Sequence, residues 1–360
     1  KQINLFFKKL NMKKKSLNVK KITLRSILKY LNDKKVLKIF KKFESNLGLN
    51  KKFAIAVSGG PDSMALAFLA KCFSINNKLE MKCFIVDHKL RDNSNNEAKK
   101  TLSILKKFNI DGKILNWNGK KPSKNIQAIA RKKRYALLTN ECKKNNINYI
   151  LLGHHVDDLY ENFLLRLLRG SGLKGLTSFG AISKFDFKGI KILRPLINIK
   201  KSELIYLSNK IFNFYVEDPS NLNENFKRIR IRNLLKKLED EGLDKKKLLL
   251  TISNLKNADS SIEFYIQKNI KKNSKYFEKK NTFLLNKIFF DQPEEITFRS
   301  LIILMNKVSN RYYAPRGKNI KNLVMNIKLN KISNKVTLGG CFIEKVNETI
   351  IISREKSIKS

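Results

Sequence analysis

The hexapeptide SGGPDS at 58–63 has the clearest chemical pattern in the chain. Its paired glycines let the backbone pass close to a ligand, and a helix starting after them would direct free N–H groups at an anion. Hydroxyls of Ser58 and Ser63 add donors, so the segment suits a pyrophosphate, and Asp62 is a candidate ligand for the Mg²⁺ that offsets phosphate charge. The segment matches neither the Walker nor the Rossmann pattern. An ordinary strand–turn–helix with Asp62 or Ser63 as N-cap is the structural alternative.

A second group of candidate residues follows a predicted strand at 149–152: His154, His155, Asp158 and Glu161. The two carboxylates are three positions apart, so one helical face carries both near the helix N-terminus. They can bind a cationic amine, hold Mg²⁺ or transfer a proton. Carboxylates that stabilise the helix dipole are the structural alternative. A zinc site is disfavoured, because adjacent histidines diverge and no third strong ligand is evident.

Basic side chains form a third group. In the predicted helix at 125–143, Gln127, Arg131 and Arg134 recur at i, i+4 and i+7, so one face can present both guanidiniums to phosphates or to a nucleotide. Further basic residues lie just before and within a glycine-rich segment at 170–175, interpreted as a flexible loop, and in a later arginine run. The structural alternatives are a solvated surface for Arg131 and Arg134, a C-cap and linker for the glycine-rich segment, and a merely basic helix for the arginine run. The candidate RNA-contacting residues are Arg134, Arg166, Arg169, Lys174, Arg228, Arg230 and Arg232.

The elements that must position these groups are predicted from hydrophobic periodicity. From Lys52 to about Leu168 apolar runs alternate with helical patterns, which predicts an α/β fold with a parallel sheet and helices on both faces. The predicted strands cover 53–57, 82–86, 113–117, 149–152 and 192–196. The predicted helices between them cover 64–70, 94–108, 125–143 and 157–169. Ligands of such sheets bind beyond the carboxyl ends of the strands, where the hexapeptide, Asp87-His88 and His154-His155 all fall.

The pattern is weaker beyond Gly170. Helices are predicted at 202–210, 225–241 and 243–270, strand-like runs within 282–290, and a hairpin within 335–354 that turns at 346–348. We therefore predict three regions: a basic N-terminal extension with a leading helix (1–50), the α/β domain (51–225), and a helical and small α+β C-terminal region (226–360). The last region is a candidate RNA-binding region.

The composition is compatible with a nucleic-acid partner but does not require one. The net charge is +46, from 76 Lys and Arg against 30 Asp and Glu, and such a field attracts polyanions. Lysine far outnumbers arginine, however, and asparagine and isoleucine are abundant, as AT-rich coding alone would produce. The charge is thus compatible with RNA binding and does not establish it.

The cysteines and the apolar runs indicate the compartment. Cys72, Cys83, Cys142 and Cys341 are widely spaced and form no C-x-x-C pair, which argues against a zinc knuckle, an iron–sulfur site and a disulfide framework. No apolar stretch approaches the roughly 18 residues that span a membrane. We expect buried thiols in a cytoplasmic protein.

Several separated segments resemble one family. The hexapeptide resembles the PP-loop of the N-type ATP pyrophosphatases. Within that superfamily the tRNA(Ile)-lysidine synthetases are similar in VDHKLR (86–91), NIQAIARKKRY (125–135), GHHVDDLYEN (153–162), LLRLLRGSGLKGL (164–176) and EDPSN (217–221). The resemblance is dense from Phe53 to Arg232, and TLGGC at 337–341 echoes the tail of some members. The combination separates this family from other PP-loop enzymes, which the hexapeptide alone does not.

The resemblance implies a two-step reaction on the wobble cytidine of an isoleucine tRNA with a CAU anticodon. ATP, with Mg²⁺, adenylates the C2 carbonyl oxygen and releases pyrophosphate. The amine of free L-lysine then attacks C2 and expels AMP. The ATP-binding residues that this implies are Ser58, Gly59, Gly60, Pro61, Asp62 and Ser63. The resemblance further implies Asp62, Asp158 and Arg131 as catalytic residues and Glu161 with Asp158 as the lysine-binding residues.

The sequence departs modestly from the family pattern. Leu159-Tyr160 replaces the usual Gln-Ala, and Asn162 stands where Thr is usual; neither change removes a group that the chemistry needs. The chain beyond Arg232 matches weakly and is shorter than in members with two C-terminal domains. The way in which this region would hold the tRNA body therefore stays open, as does the oligomeric state, for which a homodimer is one option.

Three other functions are alternatives to this one. A thiolating PP-loop enzyme would share the ATP site but needs catalytic cysteines or a cluster. An amidotransferase relative needs an ammonia source, and no glutaminase domain is evident. A non-catalytic RNA-binding protein with a vestigial fold is the alternative from another class. The intact hexapeptide together with Asp158 and Glu161 argues against it.

Overall fold

The structure is a computed structural model, and it describes residues 21–89, 93–117, 119, 126–179, 182–187, 189–217, 224–311, 315–332 and 334–355. The chain divides into two compact units, Lys1–Leu249 and Leu250–Ser360. The predicted limits of the three regions, after residues 50 and 225, stay predictions. Among the described residues no helix is long and apolar enough to cross a membrane.

The first unit is built on a six-stranded sheet with the order β3-β2-β1-β4-β6-β5. Its strands are β1 (Phe53–Val57), β2 (Met81–Asp87), β3 (Gly112–Asn116), β4 (Tyr149–Leu152), β5 (Ile182–Phe187) and β6 (Ile190–Leu193). The first four strands and β6 run parallel, and β5 pairs antiparallel with β6. The predicted parallel α/β sheet is confirmed.

The helices of this unit include each one predicted between 64 and 241. They are α1 (Leu24–Lys29), α2 (Lys34–Glu44), α3 (Pro61–Asn76), α4 (Ser94–Lys107), α5 (Ile126–Lys144), α6 (Val156–Leu167), α7 (Leu173–Thr177), α8 (Lys201–Phe212) and α9 (Lys227–Asp240). A longer helix, α10 (Lys245–Asn273), matches the helical periodicity predicted from 243 onward.

Strand β1 shows why the sheet needs helices on both faces. Phe53, Ile55 and Val57 pack into one buried cluster, whereas Ala54 and Ala56 pack into another on the opposite face. Side chains alternate along a strand, so a strand that is apolar at every position must be covered on both sides. Helix α3 is apolar around most of its circumference for the same reason, since it is buried along most of its length.

Two sequence predictions about this unit were wrong. The last strand occupies Ile190–Leu193 and not 192–196, because Pro195 has no N–H to extend a ladder. The glycine-rich segment at 170–175 is not wholly a flexible loop: α7 starts at Leu173, and the amides of Gly175 and Leu176 donate to the carbonyl of Gly172. Strand β5 was not predicted.

The second unit packs helices against a five-stranded antiparallel sheet of order β7-β8-β11-β10-β9. Its elements are β7 (Ser274–Phe277), β8 (Thr282–Leu285), α11 (Glu294–Ser309), α12 (Gly317–Lys328), β9 (Val336–Leu338), β10 (Cys341–Val346) and β11 (Thr349–Arg354). The predicted hairpin is confirmed, with Val346 paired to Thr349 across the turn. The strand-like run at 282–290 was only partly right, because a 3-10 turn at Lys287–Phe289 follows β8.

Candidate active site

The hexapeptide forms a tight turn between β1 and α3. The Ser63 hydroxyl donates to the carbonyl of Gly60 (2.9 Å), and the Ser58 amide donates to the Ser63 hydroxyl (3.1 Å). The two serine hydroxyl oxygens lie 3.2 Å apart. The turn thus gathers two hydroxyls and the N-terminus of α3 at the carboxyl end of the central strand, an arrangement that suits an anion.

Close packing surrounds two glycines, one in this turn and one after β4. Gly59 has φ +88, and a Cβ there would stand 2.7 Å from Oγ1 of Thr101 and 2.9 Å from Cγ2 of Val216. A Cβ on Gly153, which follows β4, would stand 3.2 Å from the backbone of Asp62 and Ser63. The hexapeptide and the segment after β4 therefore approach each other closely at the same edge of the sheet.

His155 links these two segments. It is buried and caps α6: its amide donates to Oδ2 of Asp158 (2.9 Å), and in the neutral ring Nδ1 accepts from the amide of Asp157 (3.2 Å). Its Nε2 lies 3.6 Å from Oδ2 of Asp62 and 3.7 Å from Oδ2 of Asp158. Lys201, the first residue of α8, places Nζ 3.6 Å from the same oxygen of Asp62.

Burial and charge act in opposite directions on this group. Burial raises the pKa of Asp62, and the nearby positive groups of His155 and Lys201 offset part of that shift. Burial alone would lower the pKa of His155, but the contact of the protonated ring with the Asp157 carboxylate (Nδ1 to Oδ2, 3.4 Å) and the charges of Asp158 and Asp62 raise it above its ordinary value. The hydrogen bond with His155 is the main cause that lowers the pKa of Asp157. Carboxylates and cations are thus balanced around the end of the hexapeptide.

Glu161 lies one turn further along α6 and is only 2% exposed. Its Oε1 accepts a hydrogen bond from Nε of Arg232 on α9. Its Oε2 is buried and accepts no hydrogen bond from the residues that the structure describes. Burial raises the pKa of Glu161, and Arg232 opposes that shift. The carboxylate therefore keeps one free acceptor atom beside the site.

Four arginines surround His154. Burial, followed by the charges of Arg194, Arg134, Arg131 and Arg228, holds the pKa of His154 well below its ordinary value. Both His154 and the buried Arg194 contact the ring of Phe179, at centroid distances of 5.5 Å for the imidazole and 4.6 Å for the guanidinium. The predicted residues Arg131, Arg134 and Arg228 thus converge on one positively charged region next to the hexapeptide edge.

The remaining predicted basic residues are more dispersed. Arg166 donates to Oδ1 of Asn162 (3.0 Å), Arg169 and Lys174 are exposed, and the exposed Arg230 donates to backbone carbonyls of 224 and 225. Arg232, predicted to contact RNA, pairs with Glu161. Several motif residues lie outside the described part of the chain: Arg91, Asn125 and 218–221; the side chain of Gln127 is likewise not described.

Two residues of this site, Lys201 and Arg194, were not predicted from the sequence. Lys201 is the first residue of α8, and Arg194 lies between the end of β6 and Pro195. Arg194 directly follows β6 and Lys201 begins the next helix, so the rule about carboxyl ends of strands could have identified Arg194 and directed attention to the segment that leads to Lys201. Among the described residues, no cluster of three or more His, Cys, Asp or Glu is arranged to hold a metal ion.

Comparison with known proteins agrees with this geometry. The PP-loop domain family matches residues 30–239. The tRNA(Ile)-lysidine synthase of Wolbachia pipientis wMel is 36% identical over 311 residues, which cover 86% of this chain and 72% of that relative. The chain belongs to the tRNA(Ile)-lysidine synthase family. A second member of the family, from Orientia tsutsugamushi (strain Boryong), is 34% identical to this chain, and the matched region covers 70% of that relative.

A solved structure outside the tRNA(Ile)-lysidine synthase family shares the fold. The U34-tRNA thiolase NcsA from Methanococcus maripaludis superposes with a TM-score of 0.53 at 17% identity, covering 62% of this chain and 78% of that one. At this identity the likeness concerns the fold alone. This likeness therefore does not assign the chemistry of the site.

Proposed function

We propose that the chain is a carbon–nitrogen ligase that joins free lysine to C2 of the wobble cytidine in tRNA(Ile) with a CAU anticodon, at the expense of ATP. Membership of the tRNA(Ile)-lysidine synthase family supports the reaction, and the PP-loop family supports ATP as its energy source. The observation that carries the proposal is the meeting of the hexapeptide with Asp158 and Glu161 at one sheet edge. That edge offers an anion site and two carboxylates for a cationic amine.

The first step needs the phosphates of ATP to be held in place. The cytidine O2 attacks the α-phosphorus, and the bond to pyrophosphate breaks. Backbone N–H groups of the hexapeptide and the hydroxyls of Ser58 and Ser63 would bind the phosphates, while the arginines around His154, Arg131 among them, would face the nucleotide or the RNA. Asp158 would serve this adenylation chemistry through its position beside Asp62.

Asp62 fits a role in holding Mg²⁺. Its Oδ1 is buried and accepts no hydrogen bond from the described residues, so one carboxylate oxygen is available. Mg²⁺ typically keeps several waters and uses one or two carboxylates together with substrate phosphates, which agrees with a site that has few protein ligands. When bound, the ion would neutralise phosphate charge.

The second step needs a bound lysine. The lysine nitrogen attacks C2, the C2–O bond breaks, AMP leaves with that oxygen, and the amine loses a proton. Glu161 would accept from the lysine ammonium through Oε2, the atom left without a hydrogen bond, and Asp158 one turn earlier would assist. Arg232 would then fix the orientation of the Glu161 carboxylate in addition to any RNA contact.

The basic residues would bind the RNA. The tRNA backbone would be contacted, chiefly at phosphates that position it, by Arg134, Arg166, Arg169, Lys174, Arg228 and Arg230.

A cytoplasmic location and the oligomeric state, with a homodimer as one option, stay predictions.

Labelled lysine tests the proposal directly. We expect ATP- and Mg²⁺-dependent label on an unmodified tRNA(Ile)-CAU transcript, none on a methionine tRNA with the same anticodon, and loss of label with Asp62→Ala. A folded protein that binds the transcript tightly but transfers no lysine would overturn the proposal. ATP–pyrophosphate exchange separates an enzyme from a non-catalytic RNA-binding protein, which shows none.

A thiolating activity is disfavoured by the state of the thiols. All four cysteines are free and buried. Burial raises the pKa of Cys72, Cys83 and Cys142 to about 12, so these thiols are poor nucleophiles at neutral pH. Sulfur transfer through a protein persulfide or a cysteine-bound cluster needs the opposite properties.

A further inference from the structure

Helix α10 exposes two aromatic rings side by side in the second unit. Phe264 is 65% exposed and Tyr265 is 50% exposed, and their ring centroids lie 5.5 Å apart at an interplanar angle of 84°. Exposed single apolar side chains are common, but two adjacent exposed rings are a larger apolar feature. An edge-to-face pair leaves ring faces open to a further planar group.

The surroundings of these rings are positively charged. Nζ of Lys268 lies 5.8 Å from the Tyr265 centroid, and Lys268, Lys271 and Lys272 are exposed on the last turns of the helix. Residues three or four positions apart share a helix face, so Phe264, Lys268 and Lys272 form a continuous row. We call this set (Phe264, Tyr265, Lys268, Lys271 and Lys272) the α10 aromatic face.

The carboxylates of the same helix are already engaged. Asp259 accepts from Arg299 at 2.8 Å, and Glu263 accepts from Arg299 at 3.3 Å and from Gln267 at 3.0 Å. Arg299 itself is buried, so these two acidic groups are held by an internal partner. The charges that the aromatic face presents outward are therefore those of its lysines.

We propose that the α10 aromatic face stacks on an unpaired nucleotide of the bound tRNA. Exposed rings beside lysines suit single-stranded RNA, because a ring stacks on any base while the ammonium groups neutralise phosphates. The inference rests on the proposed function, in which RNA is the substrate, and adds a contact made by the second unit. A self-association surface fits less well: two rings fall far short of the roughly 800 Å² per partner that stable interfaces bury.

Substitutions that keep apolar area but remove the aromatic ring test the stacking. Phe264→Leu with Tyr265→Leu is expected to raise the Kd for tRNA(Ile)-CAU roughly 5- to 150-fold, the range for one stacked base, with kcat at saturating tRNA unchanged. Tyr265→Phe alone keeps the ring and is expected to retain affinity. Met325→Ala with Leu329→Ala, which changes exposed aliphatic residues on α12 and directly after it, is the matched control and is expected to bind as wild type.

Salt dependence separates the two kinds of contact. Lys268→Gln is expected to reduce the slope of log K against log salt by about 0.7–0.9, whereas the leucine variant shifts the line without changing its slope. The inference is overturned if the leucine variant binds tRNA as tightly as wild type, or if its defect is a loss of dimer in sedimentation. Lysine transfer by the wild type is measured in parallel, so failure of the proposed function is seen separately from failure of the stacking contact.

Discussion

Nε of Arg232 donates to Oε1 of Glu161 across 71 positions of sequence, and the carboxylate that it reaches is almost completely buried. This pair joins α9 to α6 at the proposed lysine site. Because the buried Oε2 of Glu161 accepts no hydrogen bond from the described residues, the carboxylate is hydrogen-bonded at Oε1 alone. The arrangement combines an ion pair between two helices with the acceptor atom that we propose for the lysine ammonium.

Removing the Arg232 guanidinium is expected to lower the stability of the protein. Arg232→Met leaves a buried carboxylate without its cation and should lower the free energy of unfolding by about 1–3 kcal/mol in urea titrations. Arg230→Met, on the exposed side of the same helix, is the control and should change it by less than about 0.5 kcal/mol. If the two variants are equally stable, the Arg232–Glu161 pair does not hold α6 and α9 together.

Lysine use is expected to depend on pH through Glu161. Burial raises the pKa of this carboxyl above its ordinary value, and only the ionised form attracts the lysine ammonium. As the pH falls toward that raised pKa, Glu161 becomes protonated, so KM for lysine should rise while KM for ATP changes less. Glu161→Gln should raise KM for lysine at neutral pH, where the wild-type carboxylate is ionised, and abolish this acidic limb. An acidic limb that persists unchanged in Glu161→Gln would contradict the assignment.

The sequence predicted the features that depend on one strand, helix or turn alone. Alternating and helical periods located the strands from Phe53 to Leu152, and the position of SGGPDS after a strand placed it at the edge where ligands bind. The contact of Arg232 with Glu161 depends on how two distant helices cross, which periodicity does not contain. Strand β5 was missed because a short antiparallel edge strand gives little periodic signal.

The hexapeptide glycines are expected to differ in their tolerance of a side chain. Gly59→Ala places a Cβ 2.7 Å from Thr101 at a positive φ, so it should destabilise the protein by roughly 2–4 kcal/mol. A Cβ on Gly60 has its nearest neighbour at 3.8 Å, so Gly60→Ala should stay within about 1 kcal/mol of wild type. Thermal unfolding measures both. Equal destabilisation would show that Gly59 is not packed as described.

The second unit is expected to depend on Arg299. This buried guanidinium forms ion pairs with Asp259 and Glu263, and removing it would leave both carboxylates without that cation. Arg299→Met should cost about 3–5 kcal/mol, seen as faster amide hydrogen exchange in α10 and α11. Arg316→Met, an exposed arginine at the start of α12, is the matched control and should leave exchange unchanged. Unchanged exchange in Arg299→Met would mean that the ion pairs contribute no net stability.

The cysteines offer a test that separates lysine ligation from sulfur transfer. With a thiol pKa of about 12, the thiolate fraction of Cys72, Cys83 and Cys142 at pH 8 is about 10⁻⁴, and the lower value of about 11 for Cys341 still leaves it almost wholly protonated. Burial further blocks access by reagents. We expect DTNB to modify none of the four thiols in the native protein within minutes, and all four in guanidinium chloride. Pretreatment of the native enzyme with iodoacetamide should therefore leave lysine transfer intact. A rapidly reacting native thiol whose alkylation stops turnover would favour the chemistry of the thiolating relatives instead, because only that chemistry requires a nucleophilic sulfur.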